Sequence, residues 1–155
     1  MVALDKLDFQ IRLALPCELP AVIAFRRLYL IGKLSPASSE IPEVDRNPAT
    51  IHVTAWVGTT LTGYVRFERH FPDEYFVSRM VIHPSYRRQG IGRAVMDYGH
   101  VKAEIRAGQT FRLDARSSAR EFYEKIGYVI EKNRPASGEA DIAMMRATPL
   151  VSKPE

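Results

Sequence analysis

This sequence predicts an α/β domain of the α+β layered kind, built on a mixed, mostly antiparallel sheet of six to seven strands flanked by helices. Three observations predict it. Seven segments are rich in β-favouring apolar residues and are bounded by turn residues. Three others carry helix signals, either apolar residues at helical spacing or a capping pattern. The two kinds follow the order β-α-β-β-β-α-β-α-β-β, in which hairpins mix with crossover helices.

The first strand is read in DFQIRLA (8–14). ELPAVIAFRRLYLIGK (18–33) reads as a helix: Leu19, Val22, Ile23, Arg26, Arg27 and Leu30 fall at helical spacings, Pro20 is tolerated in a first turn, and Gly32 suits a stop. LSPASSEIPEVDRNP (34–48) is rich in Pro and Ser and reads as a loop or short broken helix, long enough to carry function. ATIHVTAWVG (49–58) and LTGYVRFERH (61–70) form a hairpin around Gly58-Thr59-Thr60. EYFVSRMVI (74–82) is a strand that ends at His83-Pro84, because a residue before proline avoids the α region. From Ile91 the period changes. Ile91, Ala94, Val95, Tyr98, Val101 and Ile105 share one helix face, and Gly108 suits a C-cap. Gly99 inside that helix costs about 1 kcal/mol relative to alanine, which marks it as a place of close packing. TFRLDA (110–115) is the fifth strand. Ser118 and Glu121 make the S-x-x-E capping pattern of a helix that carries Phe122, Tyr123 and Ile126 and stops at Gly127. YVIEK (128–132) and ADIAMMRA (140–147) close the sheet around a polar loop at 133–139.

A length of 155 residues suits one domain over 1–155, with 1–7 and 148–155 read as tails. Apolar residues make up 46% of the chain, enough to build a core. No apolar run reaches the roughly 18 residues that a membrane span needs, and no basic region precedes a long apolar stretch at the N-terminus. A cytoplasmic protein without membrane association is therefore expected. The single cysteine, Cys17, excludes an internal disulfide and a cysteine-rich zinc site, and no metal is expected. The net charge of +4 is unevenly spread: from Arg79 to Lys125, ten Lys/Arg stand against five Asp/Glu. A surplus gathered around a glycine turn favours a local anionic ligand over a protein-wide polyanion site. Dispersed aromatics and the lack of a groove-reading motif put nucleic acid last among partners.

The chemistry concentrates in YRRQGIGRAVM (86–96). A strand, a glycine turn and a helix start form an anion site, since the first helical N–H groups have no intrahelical partner and the helix dipole is positive there. Gly90 and Gly92 allow close approach of the backbone and positive φ. Arg87, Arg88 and Arg93 can add charge at the rim. A dinucleotide fingerprint fails because Val95 occupies the third small position, and a P-loop fails for want of Gly-Lys-Ser/Thr. A pyrophosphate cradle and a plain turn with solvated arginines are the two readings of the glycines alone.

The context decides between them. Arg87-x-x-Gly90-x-Gly92, after a strand and an Ile82-His83-Pro84 turn, resembles motif A of the GNAT superfamily of acyl-CoA-dependent N-acetyltransferases. Some thirty residues on, ARSSAREFYEKIGY (115–128) is similar to the family's second signature at Ala119, Tyr123, Glu124, Lys125, Gly127 and Tyr128. The resemblance spans about residues 75–130. It implies a GNAT-like fold and direct transfer of the acetyl group of acetyl-CoA to a primary amine of a small molecule or peptide. It implies a coenzyme A pyrophosphate site carried by Arg87, Arg88, Gln89, Gly90, Ile91, Gly92 and Arg93. Met80, Val81 and Ile82 would hold the pantetheine and the acyl oxygen through their backbone, the latter as an oxyanion hole. Arg116, Ala119, Phe122, Tyr123 and Lys125 would complete the cofactor side, with Tyr123 as proton donor to the leaving thiolate. Homodimers are common in the family.

Two positions depart from the pattern. Arg116 stands where many relatives have Asn, and Phe76 stands where some carry a basic Glu. Glu68, His70 and Glu74 lie near in sequence but read as solvated strand-end or turn residues. The missing carboxylate leaves a catalytically silent acyl-CoA-binding module as the alternative function. The acceptor site of the resembled fold falls on 33–48 and 133–140. There Glu40, Glu43, Asp45, Glu139 and Asp141 are either acidic walls for a cationic amine or plain solvated loop acids.

Overall fold

Apolar alternation and short turns bring seven strands into one sheet. The computed structural model describes residues 8–30, 41–104, 109–138 and 140–147. Its elements are β1 (Gln10–Leu13), α1 (Leu19–Tyr29), α2 (Glu43–Arg46), β2 (Ile51–Val57), β3 (Thr60–Phe71), β4 (Glu74–Ile82), α3 (Ile91–Ala103), β5 (Thr110–Ala115), α4 (Arg120–Glu124), β6 (Val129–Ile130) and β7 (Ile142–Ala147). The strand order is β1-β2-β3-β4-β5-β7-β6. Only β4 and β5 pair in parallel, joined by the α3 crossover; the other pairs are antiparallel. The expected mixed, mostly antiparallel sheet is thus present. Gly32, Ile105, Gly108 and the tails 1–7 and 148–155 lie outside the described residues.

Both faces of the sheet are covered. On one, α3 buries Ile91, Val95, Met96 and Ala103 against Val53, Val65, Phe67, Phe111 and Leu113. On the other, α1 lays Val22 and Phe25 on Tyr64 and Val81. Entry into α1 is fixed by Glu18, whose carboxylate accepts from the Leu15 N–H at 2.7 Å and from both terminal nitrogens of Arg12 at 2.6 and 2.7 Å. The paired Arg12 guanidinium, followed by that backbone bond, holds the Glu18 carboxyl down to about 2.

A polar group sits inside the α3 core. His100 is buried edge-on to Phe67 and Phe111. Arg146 Nη1 donates to its Nδ1 at 2.6 Å. Arginine has only donors, so Nδ1 accepts, and Nε2 carries the hydrogen toward the Tyr128 hydroxyl at 2.7 Å. Burial, aided by the Arg146 charge, pushes the His100 pKa down to about 3, so the ring is neutral.

Two local expectations change. Ser118 and Glu121 do not form a capping box. A 3₁₀ turn at Ser117–Ala119 moves the first α-helical residue to Arg120, and no side chain caps α4. Asp141 pins this turn instead, accepting from the Ser117 N–H at 3.0 Å and hydroxyl at 2.9 Å. Glu121 pairs with Lys125 at 3.4 Å. The sixth strand shrinks from five residues to two; past it the Glu131 N–H still donates to the Ala143 carbonyl at 2.8 Å, while its carboxylate binds Arg112 and Arg134. The segment 34–48 contributes a short helix, α2, which carries one buried residue, Asp45.

Candidate active site

The site begins with an irregularity in β4. Opposite β3, Tyr64 pairs with Val81 and Arg66 with Ser78, so the single residue Val65 faces both Arg79 and Met80. This is a β-bulge, with Arg79 in the left-handed region at φ 58°. The extra residue shifts the period of the strand. Tyr75 and Val77 before it, and Met80 and Ile82 after it, pack on the α3 core, while Val81 turns to α1. The pairing of β4 with β5 is confined to Glu74–Phe76 against Thr110–Arg112. Beyond it a cleft of about 520 Å³ opens, lined by Phe76, Ser78, Arg79 and Met80 from β4 and by Asp114 and Ala115 from β5. Arg116, Ala119 and Tyr123 line it from the second signature, and Arg66 and Glu68 from β3.

Tyr123 packs its ring on Phe122 and Tyr128, with centroids 5.1 and 5.8 Å away. Burial pushes its hydroxyl up to about 12, so it holds its proton throughout the working range. Phe122 connects this helix to the glycine turn. A Cβ added at Gly92 would lie 3.4 Å from the Phe122 ring and 3.9 Å from the Met80 methyl. The two signatures, some thirty residues apart in sequence, therefore meet in space.

The turn itself is built by Arg88 at φ 62° and Gly90 at φ 83°. Gly90 has open space where a side chain would stand, and its conformation is one that other residues adopt only with strain. Gly92 does not share it. It lies in the first turn of α3 outside the positive-φ set, and a Cβ there would meet the Phe122 ring at ordinary contact distance. The first helical bond runs from the Ala94 N–H to the Gly90 carbonyl at 3.1 Å, so the amides of Ile91, Gly92 and Arg93 have no helical acceptor. Ile91 contributes only its backbone here, since its side chain is buried in the core. Arg87, Arg88 and Gln89 are exposed on the turn. Arg93 pairs with Asp97 at 3.1 Å. His83 is a turn residue: its Nδ1 accepts from the Ser85 N–H at 3.0 Å, and its Nε2 meets the Tyr29 hydroxyl at 3.1 Å.

The acids are not where the sequence puts them. Asp45 is no solvated wall; it is buried and clamped between Arg26 at 3.0 Å and Arg66 at 3.1 Å. A loop acid becomes a core residue because two arginines follow it in. Asp141 is engaged at Ser117, Glu43 is exposed, and Glu40 and Glu139 lie outside the described residues. Glu74 binds Arg112 across β4 and β5. Glu68 is the residue that the sequence reading set aside as a solvated strand-end acid. It is the direct cross-strand partner of Phe76 and lines the cleft, held by Arg66 at 3.4 Å and by His70 at 3.3 Å. Period-2 counting along β3 puts Tyr64, Arg66 and Glu68 on one face, a signal that was available. Among the described residues no cluster of His, Cys, Asp or Glu could hold a metal ion, and no helix is long and apolar enough to cross a membrane.

Comparison with known proteins agrees with this geometry. An aminoglycoside 6′-N-acetyltransferase complexed with coenzyme A is 21% identical, with a TM-score of 0.75, covering 94% of this chain and 99% of its own. The ribosomal-protein-S18-alanine N-acetyltransferase of Escherichia coli is 18% identical, with a TM-score of 0.72 over 94% of this chain and 97% of its own. The PaiA N-acetyltransferase of Thermoplasma acidophilum, in complex with coenzyme A, is 19% identical, with a TM-score of 0.68 over 90% and 99%. At these identities the likeness is one of fold. No curated protein matches the sequence. The model of the acetyltransferase (GNAT) domain matches residues 48–130, from β2 through the glycine turn to β6. Over more than half its length, therefore, this chain belongs to the GNAT acetyltransferase family.

Proposed function

We propose that this chain transfers the acetyl group of acetyl-CoA directly to a primary amine of a small molecule or peptide. The observation that carries the reading is the contact of Gly92 with Phe122 and Met80, which sets the anion-binding turn against one end of the cleft. The residues fit coenzyme A. Three helix-start amides without helical acceptors suit a pyrophosphate, and the exposed Arg87 and Arg88 add charge. Coenzyme A, when acylated, supplies a thioester that an amine can open. The parted edge of β4 at Met80–Ile82 offers backbone groups to an extended chain and a donor to the acyl oxygen.

Two residues handle protons. Glu68 takes the position opposite Phe76 and accepts the proton that an ammonium acceptor must lose. Tyr123, protonated at any working pH, gives one to the leaving sulfur. Arg116 and Ala119, from the second signature, line the cleft beside Tyr123, while Lys125 is exposed and pairs with Glu121 at 3.4 Å. Calorimetry with acetyl-CoA tests the binding step, and thiol release with an amine panel tests the transfer. Tyr123→Phe should lower kcat by about 10²-fold or more with acetyl-CoA affinity unchanged. Binding without thiol release from any amine would make the chain a silent acyl-CoA-binding module and sink the transfer.

A further inference from the structure

The cleft contains a cation that the reaction as described does not use. Three arginines gather around its β3–β4 wall: Arg26, Arg66 and Arg79. Two carboxylates answer them. Asp45 is shared by Arg26 and Arg66, and Glu68 is held by Arg66 and His70. Across the cleft, Asp114 is bound to Arg134 at 2.7 Å and to the Ser137 hydroxyl at 2.7 Å. Among the described residues Arg79 makes no ion pair, and its Nε is buried without a hydrogen-bond partner. Partial burial, then the neighbouring charges of Arg66 and Arg26, weigh against its charged form, and the more weakly felt Asp45 and Glu68 offset this only in part. An arginine also stands at φ 58°, where glycine would be free of strain. A guanidinium that is half-enclosed, repelled by its neighbours and short of a partner binds an incoming carboxylate strongly, because charge-assisted bonds gain from a drier site.

We infer that the acceptor amine carries a carboxylate as well, and that Arg79 receives this carboxylate while Glu68 receives the amine. The inference rests on the acetyltransfer reading above and names its substrate class: an amino acid, or a small molecule of the same zwitterionic kind. Arg79 and Glu68 line the same cleft, one residue from Met80 and opposite Phe76 respectively. A polyamine is disfavoured there, since its second cation would meet Arg79 and Arg66. Arg79 and Glu68 thus give the cleft one basic and one acidic pole.

The test titrates the protein, loaded with coenzyme A, with the common amino acids, each paired with its carboxamide, and with linear diamines. At least one free-carboxylate member should bind tenfold or more tighter than its carboxamide and than any diamine. Arg79→Gln should bring the pair within about threefold, and Arg79→Lys should restore part of the gap. Arg79→Gly, which relaxes the backbone at φ 58°, guards against misfolding of the other variants. Coenzyme A affinity should be the same in all four proteins. Carboxamides or diamines that bind as well as free acids, discrimination that survives Arg79→Gln, or no binding by any amino acid would overturn the inference. A preference for succinyl-CoA over acetyl-CoA that Arg79→Gln removes, without acceptor discrimination, would move the carboxylate to the acyl group and overturn it too. Failure of the wild-type chain to bind coenzyme A would sink the acetyltransfer reading, and the inference with it. Normal coenzyme A binding with any of the earlier outcomes sinks the inference alone.

Discussion

Gly99→Ala isolates a contact that the sequence flags and the packing explains. Gly99 lies in the middle of α3, where alanine would ordinarily stabilise a helix by about 1 kcal/mol. A Cβ at this position would stand 2.1, 2.4 and 2.8 Å from three atoms of the Phe67 ring. From 2.1 Å the ring would have to withdraw by at least about 1.3 Å to reach ordinary contact at 3.4 Å. It has nowhere to go: Phe67 is fully buried, and His100 and Phe111 meet it edge-on at 5.4 and 5.9 Å. Overpacking of a filled core costs about 1–3 kcal/mol, and a ring locked on both sides belongs to the upper part of that range. Subtracting the helix gain leaves a net loss of about 1–2 kcal/mol, or a fall in Tm of roughly 2–8 °C for a domain of this size. Denaturant unfolding of Gly99→Ala, Phe67→Leu and the double variant measures it. Leucine lacks the ring edge, so in that background alanine should be neutral or stabilising. A stabilised single variant, or the same penalty in both backgrounds, would refute the reasoning.

Two further predictions concern buried charge. The unfolded chain has His100 near pKa 6.5, while burial holds it near 3 in the fold, so between these values only the unfolded chain takes the proton. Stability present above pH 6.5 is therefore lost as pH falls, at about 1.4 kcal/mol per pH unit, or about 2 kcal/mol by pH 5. Urea unfolding at pH 7 and pH 5 should give a smaller difference for His100→Gln than for the wild type; equal differences would show that His100 is protonated in the fold. Asp45→Ala strands the buried guanidinium groups of Arg26 and Arg66, and should cost about 3–5 kcal/mol in the same assay. A loss below about 1 kcal/mol would mean that the two arginines find other partners or water.

The sheet and the two main helices were legible because they rest on local signals, whereas the meeting of turn and second signature was expected only from the family resemblance. Period 2 wrote β2, β3 and β5; period 3.6 wrote α3; the proline at 84 closed β4. Glycine at 90 and 127 announced positive φ, and both have it. Gly92 looked the same in sequence and is not, because it already lies within the first turn of α3. Asp45 illustrates a deeper limit. Loop acids are usually solvated, and nothing near Asp45 says that Arg26, nineteen residues earlier, and Arg66, twenty-one later, will converge on it. Arg26 itself sits on the apolar face of α1, which the helical spacing did reveal, although the reason for an arginine there is tertiary. The lengths of α4 and β6 were overestimated because propensity extends an element until something interrupts it. For α4 the interruption is a distant carboxylate, Asp141, which pins the Ser117 turn ahead of the helix.

One feature of β4 joins the fold to the proposed chemistry. The apolar pattern of EYFVSRMVI is broken in its middle by Ser78-Arg79, and there the chain inserts its extra residue. A strand without the bulge would keep Tyr75, Val77, Arg79 and Val81 on one face, and so would bury Arg79 under α3. The bulge avoids this by returning Met80 and Ile82 to the core and releasing Arg79 to the cleft. The same distortion bends β4 away from β5 after Phe76, which opens the space that a thioester and an amine would have to share. The positive φ of Arg79 thus has an explanation that needs no ligand, namely the parting of the strands. Its unmatched charge does not. A glutamine or serine would turn the same corner without burying an unpartnered nitrogen beside two other arginines, and the binding of a carboxylate is what sets the guanidinium apart from them.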